Sequence, residues 1–427
     1  MSKSVILGGA RTPVGKMNGA LASKTSVELG GIAIGEALRR ARVQPDQVEH
    51  VVMGQVLQGG VGQIPSRQAA FNAGLAETVT SETINRVCGS GLRAVTLADT
   101  LIRAEGFNVI AAGGMESMSQ APYLVRQGRG GYRMGHAQLE DMMITDGLYC
   151  ALDHVQMGAH GDNVAAEEHI SREEQDAFAL RSHQYAIAAQ DACRLSAEIV
   201  SVEVASRKET TMVEKDEAPR RDTSLEALAK LKPVFDPGGT VTAGNAPGVN
   251  DGAGAVVVTS EDWATASGHT PMARIISHAA AAWGPAYLAY TPHLAAEKAL
   301  QKAGLTVDDI DLFEINEAFA NVAIISARRL GVPLEKLNVN GGAIALGHPL
   351  AASGARMLLT LMYELGRRGG GFGLAAICSG GGQGDAIIIE VPSQVATAVS
   401  KSSNPAAPIR ILPVGLLRQE IPPLRSR

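Results

Sequence analysis

Short apolar runs bounded by glycine and polar residues alternate with longer stretches of helical periodicity along most of the chain. Runs of this kind predict buried strands, because a strand covered on both faces has little need of polar positions. The predicted strands are residues 5–7, 50–54, 108–112, 251–258 and 273–277.

Between the strands, apolar residues recur at helical spacing and predict helices over residues 27–41, 66–73, 92–104 and 351–365. A further helix is predicted to begin at Ser171, where Ser171 and Glu174 have the spacing of a capping box. Strands that alternate with helices in this way are typical of the α/β class.

The chain also repeats part of its own pattern. Residues 36–48 (EALRRARVQPDQV) align with residues 298–310 (KALQKAGLTVDDI), which places Leu38 on Leu300 at an offset of 262 residues. The same offset carries Cys88 to position 350, beside His348 in a second glycine turn before a helix. The pattern predicts two similar α/β halves, each presenting a reactive residue at an equivalent helix entrance.

The composition favours close packing of small side chains. The chain has 427 residues, of which 45% are hydrophobic but only 4% are aromatic. It contains 48 glycines. Its net charge of −5 gives no basic surface for nucleic acid, and no apolar run reaches the length of a membrane span. With no signal peptide recognisable in the sequence, we expect a cytoplasmic protein that binds neither nucleic acid nor membrane.

The cysteines are scattered and contain no C-x-x-C pair, so we expect neither a disulfide framework nor a zinc site. They are Cys88, Cys150, Cys193 and Cys378. Unpaired thiols fit a reducing cytosol.

The segment from about 119 to 245 is more charged than its surroundings and is predicted to be an insertion folded over the body. We interpret most of its histidines as surface or packing residues, namely His136, His154, His160, His169 and His183. Residues 393–427 are rich in Pro, Ser and Ala, so we expect a largely disordered tail that the protein can lose without losing activity or assembly.

One apparent nucleotide motif is rejected. Residues 9–16 resemble a phosphate loop, but five residues separate Gly9 from Gly15 where the motif needs four. Met17 also stands where a magnesium-binding hydroxyl belongs, so nucleoside triphosphate binding is excluded.

Four glycine-rich or polar turns gather the reactive side chains, each next to a predicted strand. They are residues 85–92 (NRVCGSGL), 316–320 (NEAFA), 347–349 (GHP) and 378–384 (CSGGGQG). Two thiols, one imidazole, one amide and many glycine N–H groups suit thioester chemistry, which needs a nucleophile, a base and oxyanion donors. A helix starting just after Cys88 is expected to direct its N–H groups at the sulfur and favour the thiolate.

Together with residues 9–15 (GARTPVG), 113–119 (GGMESMS), 242–245 (TAGN) and 250–253 (NDGA), these turns resemble those of the thiolase family of acyl-CoA C-acyltransferases. The resemblance covers residues 3–392. It implies a duplicated βαβαβαββ fold of the α/β class, five-layered (α-β-α-β-α), with an inserted loop domain. The implied division is residues 1–118 with 245–268, a coenzyme A-binding loop domain at 119–244, a second half at 269–392, and the tail.

The resemblance also implies the role of each reactive residue. Cys88 takes the acyl group as a thioester, and His348 activates that thiol. Asn316 holds a water that completes one oxyanion site with His348, while the N–H groups of Cys88 and Gly380 form another. Cys378 removes or returns the α-proton of the substrate.

The implied substrates are coenzyme A thioesters, with no permanently bound cofactor or metal, and the implied assembly is a homodimer or homotetramer acting in fatty acid metabolism. The implied substrate contacts are Met157, Arg220, Phe235, Ala243, Pro247, Leu288 and Phe319.

The sequence departs from the family pattern near the expected substrate path. Pro247 replaces a common Ser, Gln156 replaces a His of short-chain members, and residues 283–292 differ most, with Leu288 in place of Met. Tyr290 is expected either to block long acyl chains or only to pack.

Three interpretations of the function stay open. The first is an acetyl-CoA C-acetyltransferase, and a degradative 3-ketoacyl-CoA thiolase of broader chain length is the second. The third, a non-catalytic acyl-CoA-binding relative, is of a different class and would be favoured by loss of a reactive residue, which the sequence does not show. A ketosynthase is disfavoured, because those enzymes pair the cysteine with two histidines and lack an equivalent of Cys378.

Overall fold

Strands and helices alternate along the computed structural model, which describes residues 3–205 and 209–393. The predicted strands and helices are present, most of them longer by a few residues than the sequence indicated. None of the helices in the described ranges has the length and hydrophobicity of a membrane span. The expectation of a disordered tail lies outside the described residues, apart from residue 393.

The first part of the chain supplies the first five strands of the main sheet and three helices. Helix α1 begins at a complete capping box between Thr25 and Glu28 and ends where Arg42 turns left-handed. The elements are β1 (Ser4–Arg11), β2 (Gly15–Lys16), α1 (Ser26–Ala41), β3 (His50–Gly54), α2 (Pro65–Asn72), β4 (Thr80–Ile84), α3 (Ser90–Glu105) and β5 (Val109–Ser117).

The middle part consists of small hairpins and helices. Its elements are β6 (Tyr123–Leu124), β7 (Glu140–Asp141), β8 (Tyr149–Cys150), β9 (Val155–Gln156), α4 (Met157–Glu167), α5 (Arg172–Asp191), β10 (Val202–Ala205), β11 (Thr210–Val213) and α6 (Leu225–Ala229). The Ser171 hydroxyl caps α5 by accepting from the Glu174 N–H at 3.2 Å. The Glu174 carboxylate binds Arg328 instead, so the reciprocal half of the predicted capping box is not formed.

The last part completes the first half of the main sheet and builds its second half. Its elements are β12 (Asn250–Ser260), α7 (Glu261–Ala266), β13 (Ala273–Ala282), α8 (Thr291–Ala303), β14 (Leu312–Ile315), α9 (Ala320–Leu330), α10 (Ala343–Leu346), α11 (Ser353–Arg368), β15 (Gly371–Ser379) and β16 (Gln383–Val391).

Strand order shows the duplication directly. Outward from the centre, one half runs β1-β12-β5-β3-β4 and the other runs β13-β16-β15-β14. A parallel bridge from Phe313 to Leu337 occupies the place that β4 has in the first half. The two halves join where β1 pairs briefly with β13, so the same strand pattern occurs twice in one chain.

Three apolar clusters define the layers. Helices α1 and α2 cover the outer face of the first half, and α8 and α9 cover that of the second. Helices α3 and α11 pack on each other between the two halves, in a cluster that draws buried residues from both. This arrangement is the predicted five-layered α-β-α-β-α fold.

The ends of helices α1 and α8 confirm the predicted repeat residue for residue. Helix α1 ends at Ala41 and α8 at Ala303, followed by left-handed caps at Arg42 and Gly304. The offset of 262 residues therefore carries over from the aligned letters to the helix ends, and the sequence similarity reflects structural equivalence.

A buried arginine ties the middle part of the chain to the body. Arg11, at the end of β1, makes ion pairs of 2.7 Å with Glu198 and with Asp216, and all three side chains are buried. Asp216 also accepts from the Val14 N–H at 2.8 Å. The segment GARTPVG therefore serves as an anchor.

Candidate active site

A strained turn carries Cys88 between the end of β4 and the start of α3. Val87 has a φ of +43°, which is unfavourable for a β-branched residue. The Ser90 hydroxyl holds this turn, since it accepts from the Arg86 N–H at 2.8 Å and donates to the Val87 carbonyl at 2.6 Å. Arg86 is fixed in turn by Asp385 on β16, at 3.1 Å. The turn is therefore stapled to the strand pair that bears Cys378.

The Cys88 sulfur is surrounded by groups with opposing effects. Burial raises the pKa of Cys88 to about 12, and the nearby carboxylate of Glu116 adds to the increase. The backbone N–H groups of Cys88 and Gly380 donate to the sulfur and lower the pKa in part. The expectation of a resting thiolate is therefore wrong, because desolvation outweighs the favourable helix entrance.

His348 lies in a tight turn before α11. Gly347 has a φ of +107°, and a Cβ at that position would lie 2.6 Å from Val14 and 2.7 Å from Asn250. Asn250 accepts from the His348 N–H at 2.8 Å, and Nδ1 of the ring lies 2.6 Å from the Ser353 hydroxyl. The backbone and one edge of the imidazole are thus fixed.

The other edge of the imidazole is left available. Nε2 of His348 is buried and has no hydrogen-bond partner among the described residues. Burial, with a smaller contribution from Arg356, lowers the pKa of His348 to about 3. The ring is therefore neutral near pH 7, with Nδ1 tied to Ser353 and Nε2 able to accept a proton.

The two reactive turns are brought together by the two central helices. A Cβ on Gly91 would lie 2.4 Å from the Ala351 carbonyl oxygen, and a Cβ on Gly354 would lie 2.4 Å from the Leu92 nitrogen. Only glycine allows this approach of backbone to backbone. The entrances of α3 and α11, which follow Cys88 and His348, therefore touch each other.

Cys378 and Asn316 complete the polar group at the strand ends. Cys378 is buried near the end of β15, and burial together with the neighbouring Cys88 raises its pKa well above the ordinary value. Asn316 follows β14 and is fully buried, yet neither atom of its amide has a partner among the described residues. A buried amide without protein partners is free to bond to a water or to a substrate oxygen.

Some of the residues implied as substrate contacts lie together. The rings of Phe235 and Phe319 meet edge to face, with centroids 6.3 Å apart. Gly158 lies against Phe235 so closely that a Cβ there would be 1.9 Å from the ring, and Gly158 follows Met157 at the start of α4. This part of the expected path is aromatic and apolar.

Other implied contacts are more scattered. Leu288 is buried in the core of the second half, while Pro247 is half-buried and Ala243 is exposed. Arg220 is exposed, and its N–H donates to His183 Nδ1 at 3.2 Å. No contact among the described residues joins Arg220 to the two phenylalanines.

The contacts of Tyr290 support packing rather than a block in the acyl pocket. Its hydroxyl donates to Glu168 at 2.6 Å, its ring stacks on Tyr287, and Arg329 lies over it at 5.4 Å. The side chain borders an open surface cleft of 470 Å³. The cleft is lined by Trp283, Tyr287, Tyr290, His293, Leu294 and Arg329, none of them a predicted catalytic residue.

Sequence reasoning missed a buried carboxylate beside the reactive thiol. Glu116 accepts N–H groups from Val56 at 3.1 Å, Leu57 at 3.0 Å and Ala351 at 3.2 Å. Burial raises its pKa to about 7. Glu116 thus joins the end of β5 to the entrance of α11. The only signal in the sequence was an acidic residue in the apolar stretch that ends in GGMES.

The family profile described as "Thiolase, N-terminal domain" matches residues 4–262, and the profile described as "Thiolase, C-terminal domain" matches residues 269–391. The chain therefore belongs to the thiolase family of acyltransferases.

Two relatives are similar to the chain over most of its length. The chain is 50% identical over 391 residues to an acetyl-CoA acetyltransferase of Escherichia coli (strain K12), covering 91% of this chain and 99% of that protein. It is 48% identical over 395 residues to an acetyl-CoA acetyltransferase of Syntrophomonas wolfei, covering 91% of this chain and 100% of that protein.

The chain is also similar to a solved structure. The crystal structure of the Bacillus anthracis acetyl-CoA acetyltransferase superimposes with a TM-score of 0.90 at 40% sequence identity. The match covers 92% of this chain and 99% of the other. The similarity thus extends over nearly the whole fold.

Proposed function

We propose that this protein is an acetyl-CoA C-acetyltransferase that makes or cleaves acetoacetyl-CoA through an acyl-enzyme at Cys88. One observation carries the proposal. The Cys88 sulfur accepts a hydrogen bond from the Gly380 N–H and lies beside the thiol of Cys378. At the entrance of the neighbouring helix, the neutral imidazole of His348 has a free Nε2. The names of the relatives support acetyl-CoA as the substrate.

In the first half-reaction, Cys88 attacks the carbonyl carbon of the acyl-CoA thioester. The resting thiol is protonated, so it needs a base as it attacks, and Nε2 of His348 accepts the proton. The N–H groups of Cys88 and Gly380 stabilise the oxyanion that forms. Coenzyme A then leaves as a thiol with the proton from His348, and the acyl group stays on Cys88.

In the second half-reaction, a new carbon–carbon bond forms. Cys378 first passes its thiol proton to Nε2 of His348, and as a thiolate whose raised pKa makes it a strong base it then removes an α-proton from a second acetyl-CoA. His348 and a water held by Asn316 stabilise the enolate oxygen. The enolate carbon attacks the thioester on Cys88, the departing Cys88 sulfur takes the proton held by His348, and Cys378 keeps the α-proton, so that all three groups return to their resting states.

The coenzyme A path is proposed to follow the implied contacts. The apolar group around Met157, Phe235 and Phe319 suits the pantetheine arm, and the exposed guanidinium of Arg220 suits a phosphate. Leu288 is proposed to limit the space for the acyl chain. Ala243 and Pro247 are proposed to border the path of the pantetheine arm. No permanently bound cofactor enters this mechanism.

We further propose that the protein works as a homodimer or homotetramer. Strand β4 ends the sheet, pairs only with β3 among the described strands, and leads directly to the Cys88 turn. An open edge of this kind readily pairs with a second copy.

We also propose a cytoplasmic location and a role in fatty acid metabolism. The free thiols suit the reducing cytoplasm, and the acyl-CoA substrates suit that metabolic role.

The proposed division of the chain follows its topology. Residues 1–118 with 245–268 form the first half, 119–244 a loop domain that binds coenzyme A, and 269–392 the second half. The two family profiles meet between residues 262 and 269, which supports the boundary between the halves.

Intact-protein mass spectrometry after mixing with acetyl-CoA tests the proposal. We expect one acetyl group per chain, found on the peptide that contains Cys88 and absent in Cys88→Ser. Cys193→Ser removes an exposed thiol and is the matched control, which should acylate normally. An unchanged adduct in Cys88→Ser would contradict the assignment, and no adduct in the wild-type protein would favour a non-catalytic binder.

An acyl-chain series then separates the two catalytic interpretations. An acetyltransferase should lose kcat/KM steeply for 3-ketoacyl-CoA substrates beyond acetoacetyl-CoA, since each methylene in a fitted pocket is worth roughly 1–3 kcal/mol. A flat profile would favour the degradative enzyme of broader chain length.

A further inference from the structure

A hairpin and the helix that follows it gather three metal-binding side chains outside the active site. Cys150 ends β8, Asp153 lies in the turn, and His160 is on the first turn of α4. The turn closes because His154 adopts a φ of +57° and donates its N–H to the Cys150 carbonyl at 2.8 Å. The spacing C-x₂-D-x₆-H therefore becomes a single cluster.

The geometry of the cluster suits one small cation. The sulfur of Cys150, a carboxylate oxygen of Asp153 and a ring nitrogen of His160 all lie within 4.8 Å of one another. Nε2 of His160 is 3.1 Å from Asp153 Oδ2. Ligands of a tetrahedral zinc ion, bound at about 2.0–2.3 Å, lie roughly 3.3–3.8 Å apart, so small side-chain shifts suffice.

Apart from its contact with Asp153, the His160 ring has no polar partner among the described residues. Its side chain is 2% exposed, and neither ring nitrogen has a hydrogen bond of acceptable angle among the described residues. The approach to Asp153 meets the distance of an ion pair but not the angle of a hydrogen bond. A cation held by both groups would satisfy a buried ring nitrogen that is otherwise unpaired.

The donor set selects the metal. Thiolate, imidazole and carboxylate together are typical of Zn²⁺, whereas Ca²⁺ and Mg²⁺ prefer oxygen alone. Cys150 and His160 are buried while Asp153 is exposed, so an ion can enter from the solvent side.

We propose that Cys150, Asp153 and His160 bind one Zn²⁺ per chain, with water in the fourth position. Binding forms a zinc–thiolate bond and releases the thiol proton of Cys150 to solvent. The ion would fasten the hairpin to α4, next to Met157. This proposal differs from two sequence predictions, the absence of a zinc site and the interpretation of His160 as a surface or packing residue. It does not depend on the proposed function.

Cobalt binding to the full-length protein tests the proposal, because Co²⁺ reports its ligands by absorption. Cys88→Ser with Cys378→Ser is the background, so that the active-site thiols cannot contribute. After treatment with a chelator, we expect one equivalent of Co²⁺ to give a thiolate-to-cobalt charge-transfer band and tetrahedral d–d bands. Added Zn²⁺ should displace the cobalt and abolish both.

Single substitutions in this background identify the ligands. Cys150→Ser should remove the charge-transfer band, whereas Cys193→Ser, the matched thiol control, should keep it. His160→Gln and Asp153→Asn should each weaken binding by roughly tenfold or more, the scale on which even supporting groups act. Asp153 is exposed, so its variant is informative even where a buried substitution impairs folding. A spectrum without a thiolate band, or one unchanged in Cys150→Ser and Asp153→Asn, would overturn the proposal.

Discussion

Two reactive side chains with opposite pKa shifts define the site at the scale of single residues. Burial raises the pKa of Cys88 to about 12 and lowers that of His348 to about 3. Both shifts favour the neutral forms, so in the proposed mechanism the proton passes from Cys88 to His348 only as the thiol attacks the substrate. Such a pair requires a true general base, not a thiolate formed in advance.

The division of labour between His348 and Cys378 can be separated experimentally. His348→Ala should slow acylation of Cys88 by about 10²–10⁴-fold, because the protonated thiol loses its base. Cys378→Ala should still acylate but fail to exchange the α-protons of acetyl-CoA with deuterium. Mass spectrometry follows the first reaction and NMR the second, and equal loss of both reactions in both variants would contradict the division.

Glu116 should set the pH dependence of thiol reactivity. Its pKa is about 7, so it is charged mainly above pH 7, where its negative charge disfavours the Cys88 thiolate. In Glu116→Gln the thiolate is less disfavoured, the pKa of Cys88 falls, and alkylation by iodoacetamide should shift to lower pH by about one unit. The two proteins should converge below pH 7.

The control for this experiment is Glu82→Gln, which removes a half-exposed carboxylate from β4. Its alkylation profile should match that of the wild-type protein. A Glu116→Gln profile that moves to higher pH, or not at all, would show that Glu116 acts only by holding the backbone N–H groups of the turn.

At the same scale, the sequence predicted candidate residues but not their protonation states. Cys88, His348, Asn316 and Cys378 were proposed from their turns, and their catalytic roles stay predictions. The direction of the Cys88 pKa shift was not, because desolvation depends on residues distant in sequence. Glu116 escaped recognition for the same reason, since its three N–H partners come from separate segments.

At the scale of elements, the periodic signals worked well. Helix α1 was predicted over 27–41 and spans Ser26–Ala41, and the strand over 50–54 is β3 itself. The small hairpins β6–β7 and β8–β9 were not predicted, because strands of two residues have no periodicity to detect. The cluster of Cys150 and His160 was missed with them.

The crossing of α3 and α11 should tolerate no added volume. Gly354→Ala would place a Cβ 2.4 Å from the Leu92 nitrogen, and backbone cannot yield as a side chain does. We expect the free energy of unfolding to fall by about 1–3 kcal/mol. Acylation should slow as well, because the two helix entrances position Cys88 and His348.

Urea titration and the acylation rate measure the two effects. Gly130→Ala is the matched control, since the nearest atom to its added Cβ is 3.9 Å away. Wild-type stability in Gly354→Ala would mean that the two helices can separate without cost.

At the scale of the whole molecule, Arg11 connects the body to the inserted segment, which is the middle part of the chain (residues 119–244). Removing the guanidinium in Arg11→Met leaves Glu198 and Asp216 buried without their partner. We expect a loss of about 3–5 kcal/mol in the free energy of unfolding. The inserted segment should also become more sensitive to proteolysis, because Asp216 is one of its fixed points on the body.

The matched comparison is Arg221→Met, which breaks an exposed pair with Asp191 in the same region. An exposed ion pair contributes about 0–1 kcal/mol, so this variant should resemble the wild-type protein in urea titration and in limited proteolysis. Similar losses in both variants would remove the special role of Arg11.

The contact between Gly91 and Ala351 has a consequence that can be put in genetic terms. In the proposed mechanism the first repeat supplies the nucleophile, and the second supplies Asn316, His348 and Cys378. Neither repeat alone holds this set, so the two complement each other in the genetic sense, although they reside in one polypeptide. Their covalent linkage keeps both parts of the set in every molecule.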